Sequence, residues 1–218
     1  MKIGEIEIKW LGHSGFLIKN SKTIYIDPYK IKESEKADLI LITHGHYENC
    51  SVEDLSKIVK DGTRIVATAD CQSKINRLNF KIKIEIAEPK KELTFGDIKI
   101  SVFPAYNINR NFHSKDEGWV GYLIKIKDNL IYHSGDTDVI PEMKNLTGYN
   151  QLNKKFIALL PINGRFTMSA EEAVEFAKLI KPSVIIPMNY ENSEKKYVDE
   201  FIQLCKEEGV KIEIPEKE

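Results

Sequence analysis

Several things are missing from this 218-residue chain, and each absence narrows what it can be. It has three cysteines, Cys50, Cys71 and Cys205, without any pairing pattern; a disulfide framework is excluded and a reducing cytoplasm is expected. No run approaches the roughly 18 apolar residues of a membrane span, and Met1 to Glu5 opens without an apolar secretory core. The formal net charge is -1, so neither sign is in excess, and no electrostatic case exists for nucleic acid or an anionic membrane as partner. Lysines alternate with glutamates, as on a solvated surface. No repeat recurs at a fixed period. What remains is one ordinary domain, residues 1–218, long enough to bury its own core.

The stretch on which the chain turns is Asp38 to Asn49. Leu39-Ile40-Leu41-Ile42 is apolar without alternation, the pattern of a strand buried on both faces. It ends in Thr43-His44-Gly45-His46-Tyr47-Glu48-Asn49. Residues two apart in extended chain point the same way, so His44 and His46 can converge on one metal ion, and Gly45 lets the backbone approach closely. The alternative is two loop histidines with ordinary hydrogen bonds. Cys50 is either a soft ligand or a small buried side chain.

Around this stretch the spacing predicts strands over Ile6–Trp10, Phe16–Ile18, Thr23–Asp27, Arg64–Ala67, Lys81–Ile86, Glu92–Phe95, Ile98–Phe103, Trp119–Ile126, Asn129–Tyr132, Phe156–Leu160, Val184–Ile186 and Lys211–Ile214. Ser51 with Asp54 approximates a capping box, opening a helix to about Lys60. Asp70 is placed to cap a helix through Leu78. Ser169-Ala170-Glu171-Glu172 is a second box, before a helix to about Ile180, and a last helix is expected over Glu194–Glu208. Gly96-Asp97 and Lys127-Asp128 are hairpin turns.

The histidine stretch resembles T-H-x-H-x-D-H, the signature of the metallo-β-lactamase fold superfamily. Trp10-Leu11-Gly12-His13-Ser14-Gly15-Phe16 looks like the opening hairpin of its subgroup related to ascorbate-phosphate lactonases. Ile26-Asp27-Pro28, Gly135-Asp136-Thr137-Asp138 and Ile186-Pro187-Met188-Asn189-Tyr190 look like further elements, the last matching P-M-H-Y. Leu160 to Met168 is similar to the subgroup's P-x-G-G-x-x-T-M loop. The resemblance spans roughly Ile6 to Tyr190 and implies an α+β fold, the αββα four-layer sandwich. It also implies a metal-dependent hydrolase acting on an ester, lactone or phosphoester of a small molecule through a metal-bound hydroxide.

Carried over residue by residue, the resemblance makes His44, His46 and Asp136 metal ligands. The family's third histidine should follow Phe103; this chain has Ala105-Tyr106-Asn107 there and His113 six residues on, so His113 is either a ligand, a site-lining base or a loop histidine. Three positions depart from the pattern. Glu48-Asn49 stands for D-H and Asn189 for the last histidine. Glu48 keeps a carboxylate and is a candidate general base, or a group that reaches the metal itself. Amide oxygens are poor substitutes for imidazole on zinc, so one divalent transition metal, zinc, is expected rather than two, or none at all. The two asparagines can instead donate to Asp136 and Glu48. His13 either lines the site or is a structural turn histidine; Asn107 and Arg165 are expected near the site, Arg165 as a contact for an anionic substrate or as an exposed loop cation. His133 is at best a supporting partner. Beside the one-metal hydrolase stands a non-catalytic relative without a working metal centre, and, less favoured, a nuclease.

Overall fold

The computed structural model describes residues 1–32, 35–152, 155–190 and 195–217. They form two compact units, Met1–Ala87 with Pro215–Glu218, and Glu88–Ile214, each built around one sheet.

In the first unit seven strands lie side by side in chain order: β1 (Lys2–Ile3), β2 (Ile6–Gly12), β3 (Gly15–Lys19), β4 (Thr23–Ile26), β5 (Leu39–Ile42), β6 (Arg64–Ala67) and β7 (Lys83–Ile86). The first four pair antiparallel and the last four parallel. Every residue of β5 is fully buried, as its unbroken apolar run requires. One face of the sheet packs Ile40, Ile42, Ile65 and Ala67 against Leu55 and Ile58 of the helix α1 (Val52–Ile58). Ser51 caps α1 by accepting from the Asp54 amide at 3.2 Å. The box is not reciprocated: the Asp54 carboxylate accepts instead from the amides of Lys30 and Ile31, at 2.9 and 3.1 Å.

The expected cap at Asp70 is not formed. A 3-10 turn over Ala69–Cys71 leads into the short helix α2 (Gln72–Ile75), and the Asp70 carboxylate is spent on Thr68 Oγ1 and on the amide of Gly45.

In the second unit six strands run in the order β13 (Val184–Met188), β12 (Lys155–Pro161), β11 (Asn129–His133), β10 (Val120–Ile126), β9 (Ile98–Pro104) and β8 (Glu92–Phe95). The pairs β8–β9, β9–β10 and β10–β11 are antiparallel; β11–β12 and β12–β13 are parallel. Both expected hairpin turns form, closing on Phe95–Ile98 and Ile126–Asn129. The helix α3 (Ala170–Ile180) carries a full capping box of Ser169 and Glu172, buries Ala173, Val174, Phe176, Ala177 and Ile180, and packs on β12 and on α4 (Lys195–Glu207). The expected start of that last helix at Glu194 lies outside the described residues. Lys211–Ile214 makes a single bridge, Ile212 to Ile185, rather than a strand, because the bonds to its neighbour stop at Lys211 and Glu213. No described helix is long and apolar enough to cross a membrane.

Each sheet thus ends in a set of parallel strands whose carboxyl ends lie side by side. Asp27, Thr43 and Thr68 follow β4, β5 and β6 directly. In the other unit Asp136, Asn163 and Asn189 follow β11, β12 and β13 within three residues. Loops at such ends are rigidly based and free to carry chemistry.

Candidate metal centre

In the first unit the histidine stretch is built on Asp27. This aspartate is fully buried and accepts from Thr43 N at 2.8 Å, Thr43 Oγ1 at 2.6 Å and Asn49 Nδ2 at 3.0 Å. The Thr43 hydroxyl has one proton and gives it to Asp27. Its contact with His44 Nδ1, at 2.9 Å, must therefore be donated by the ring. That fixes the tautomer of neutral His44, whose Nε2 carries the lone pair. His46 Nδ1 lies 3.0 Å from that Nε2. His44 is buried and His46 exposed.

Gly45 earns its place by close approach: a β-carbon there would collide with the Asp70 carboxylate that accepts its amide. Lys74 Nζ donates to the Gly45 carbonyl. Asn49 donates to Asp27 and not to Glu48, which corrects the expected pairing; Asn49 Oδ1 is buried without a hydrogen bond. Glu48 is half-buried. Cys50 lies in the apolar cluster with Leu55 and Cys71, as a small core side chain. His13 sits in the β2–β3 turn at φ 50°, bonded through Nδ1 to Ser14 Oγ at 3.2 Å, and its ring meets Tyr29 edge-on.

In the second unit Asp136 is reached through Gly135, at φ 67°, where a β-carbon would stand 2.5 Å from the Val120 carbonyl. Asp136 Oδ1 accepts from Asn189 Nδ2 at 2.9 Å, the expected pairing. His113 Nε2 lies 3.6 Å from Asp136 Oδ2. His113 Nδ1 contacts the Phe166 carbonyl at 2.9 Å, and a carbonyl can only accept, so this ring too bears its proton on Nδ1 and its lone pair on Nε2 when neutral. Asn107 supports the same loop. Its amide nitrogen donates to the carbonyls of Phe112 and Phe166 at 2.8 and 2.7 Å, while Oδ1 is buried without a partner. His133 is the contrast: it accepts from the Gly135 amide through Nδ1 at 3.2 Å, the opposite tautomer.

Arg165 is exposed and its guanidinium lies over the Phe166 ring, 4.8 Å from the centroid. At the start of α3 the amides of Ser169 and Glu172 are taken up by the capping box itself. The roles of three supporting residues follow only from the fold, although Asp27 and Asp138 lie in segments that resemble the family pattern. Asp27 is found in the strand-end motif, but its role needs the fold. Asp138 and Arg110 pair with each other, and Arg110 reaches Glu172 at 2.7 Å, so the loop bearing His113 is tied to the Gly135–Asp138 segment and to α3. No local pattern pairs residues 28 apart.

The Beta-lactamase superfamily domain matches residues 7–189, and the chain belongs to that superfamily. Its two-sheet α+β architecture is the metallo-β-lactamase fold. Among similar proteins, a UPF0173 metal-dependent hydrolase of Pelotomaculum thermopropionicum is 34% identical over 204 residues, covering 85% of this chain and 84% of the relative. Another, of Thermoplasma acidophilum, is 33% identical over 224 residues, 98% and 96% of the two chains. A crystal structure from Parabacteroides distasonis shares the fold with TM-score 0.83 and 26% identity over 98% of this chain and 94% of that one. Igni18, a metallo hydrolase from Ignicoccus hospitalis, aligns with TM-score 0.76 and 26% identity over 97% and 95%.

Proposed function

We propose that this protein is a hydrolase whose centre takes one divalent transition metal, zinc, through His44, His46, His113 and Asp136. The observation that carries the reading is the state of the buried imidazoles. His44 and His113 are each held by Nδ1 and present Nε2 as the lone-pair nitrogen, whereas His133 is held the other way round. A carboxylate oxygen facing an imidazole lone pair, as Asp136 Oδ2 faces His113 Nε2, is a donor pair that a cation suits. Two or three imidazoles with one carboxylate make a catalytic zinc set. Metal dependence of the relatives points the same way.

When bound, the cation would supply Lewis-acid polarisation and an acidified water. The chain's own residues do the rest. Asp27 through Thr43, and the Phe166 carbonyl, keep the two rings in the ligating tautomer. Glu48 is the proton carrier. Asn107, Asn49 and His13 line the approach, and Arg165 meets the anionic part of a small ester, lactone or phosphoester. The three cysteines are unpaired, which suits a reducing cytoplasm.

One observation favours the non-catalytic reading: Asn189 places an amide donor on Asp136 where the family pattern has an imidazole. The two are separated by elemental analysis of protein purified without chelator, followed by assay on p-nitrophenyl esters, lactones and bis-p-nitrophenyl phosphate. The hydrolase reading expects close to one zinc per chain and turnover that chelation removes. Protein that is metal-free and inert after zinc loading would sink it; two retained zinc ions per chain would sink the one-metal form.

A further inference from the structure

The amide of Asn189 could stand in either of two orientations, and the difference is chemical. Its oxygen can ligate a cation; its NH2 cannot. The structure fixes which end faces Asp136, and it does so from a distance.

The backbone amides of Arg165 and Phe166 both point at Asn163 Oδ1, each at 3.1 Å, with Thr167 Oγ1 at 3.3 Å. A peptide N–H can only donate, so this end of Asn163 must be the oxygen. The other end is then NH2, and it meets Asn189 at 3.0 Å. It needs an acceptor there, which makes the facing atom Asn189 Oδ1. Asn189 Nδ2 is thereby turned to Asp136 Oδ1 at 2.9 Å. Polarity passes from two main-chain amides, through two side chains, to the carboxylate. Asn189 and Asp136 are nearly buried, so the bond between them is shielded from water. In the P-x-G-G-x-x-T-M pattern that this loop resembles, the place of Asn163 belongs to glycine, which has no side chain to set any orientation.

We propose that Asn163 is a positioning residue that sets the metal count of the centre. By turning the NH2 of Asn189 onto Asp136, it occupies one carboxylate oxygen with a donor and keeps a second cation from being held between the two side chains. This rests on the one-metal reading above, and its test separates the two.

Asn163→Asp keeps an oxygen for Arg165 and Phe166 but cannot donate to Asn189. The Asn189 amide then turns its NH2 to the new carboxylate and its oxygen to Asp136, creating a pair of hard oxygen donors. Mn2+ is titrated by calorimetry into chelator-treated protein reloaded with one equivalent of zinc. Wild type should take up no further metal of comparable affinity. In Asn163→Asp the second-site affinity should rise about tenfold or more. A folded Asn163→Asp variant that binds Mn2+ no better than wild type overturns the proposal. The relay itself is tested without metal, by thermal unfolding of chelator-treated Asn163→Ala, Asn189→Ala and the double variant. Linked residues give a double variant that melts no lower than the worse single one. Additive losses mean that Asn163 does not act through Asn189. If no protein in the series binds zinc, the metal reading of the preceding section fails, and the claim that Asn163 sets a metal count falls with it, whatever the cycle shows of the relay.

Discussion

Thr43 is tied twice to Asp27, through its amide at 2.8 Å and its hydroxyl at 2.6 Å. The pairing locks the strand end that bears the histidine stretch, and it decides the tautomer of His44. Thr43→Val keeps the side-chain shape and removes both the donor to Asp27 and the acceptor for His44 Nδ1. Zinc affinity should fall about 10- to 100-fold, the usual cost of losing such a supporting partner. Competition with a chromophoric chelator measures it. Unchanged affinity would mean that His44 is not oriented this way.

His46→Ala removes an exposed imidazole that adds little to the core. Stability of the metal-free protein should stay within about 0.5 kcal/mol of wild type, as for ordinary surface changes. Zinc content should vanish, together with the rise in melting temperature that added zinc gives the wild type by mass action. Retention of zinc after this substitution contradicts the ligand assignment.

Returning Glu48→Asp, Asn49→His and Asn189→His together should restore a tightly held second metal position, while each single change gives weak second-site binding or none, because one new ligand leaves the others missing. Adding Asn163→Gly should tighten it further, since the Asn163 amide no longer faces position 189. Zinc calorimetry on the five proteins decides. A folded quadruple variant with one zinc site would show that the surrounding side chains have diverged too.

Glu85 and Arg64 pair across β7 and β6 at 2.6 Å, both mostly shielded from solvent. The Arg64 hydrogen bond holds the Glu85 carboxyl below its usual 4.5, against the opposing effect of burial. A depressed carboxylate stabilises the fold above its unfolded pKa, and that contribution is lost as pH falls through the folded one. Glu85→Gln should therefore cost about 0.5–1 kcal/mol at pH 7. Urea unfolding should show the gap closing below pH 4.5; a gap that persists at low pH would assign the loss to packing.

Tyr132 is fully buried with its hydroxyl unpartnered, and burial pushes the phenol upward. Phe103 and Phe176 surround the ring edge-on. Tyr132→Phe removes a polar group that has no hydrogen bond to lose, so stability should rise by about 1 kcal/mol. A fall in the urea midpoint would reveal a bond made by that hydroxyl.

Strand β5 and the two serine caps were legible in the chain because their causes are local. An unbroken apolar run demands burial on both faces, and Ser51 and Ser169 need only a neighbour three residues on. The family motifs were legible for the same reason, since each is a short run of fixed order. The fate of Asp70 was not local. As a cap it had one partner in prospect; in the fold Gly45, 25 residues away, offers its amide instead. Likewise Asn49 finds Asp27 rather than Glu48, because β4 and β5 lie side by side and bring their carboxyl ends together. The same strand-end adjacency across β11, β12 and β13 aligns Asn163, Asn189 and Asp136. The sequence by itself determined which side chains are available to the centre; only the tertiary structure decided which hydrogen each of them donates and to whom, because that depends on pairings between strand ends far apart in the chain.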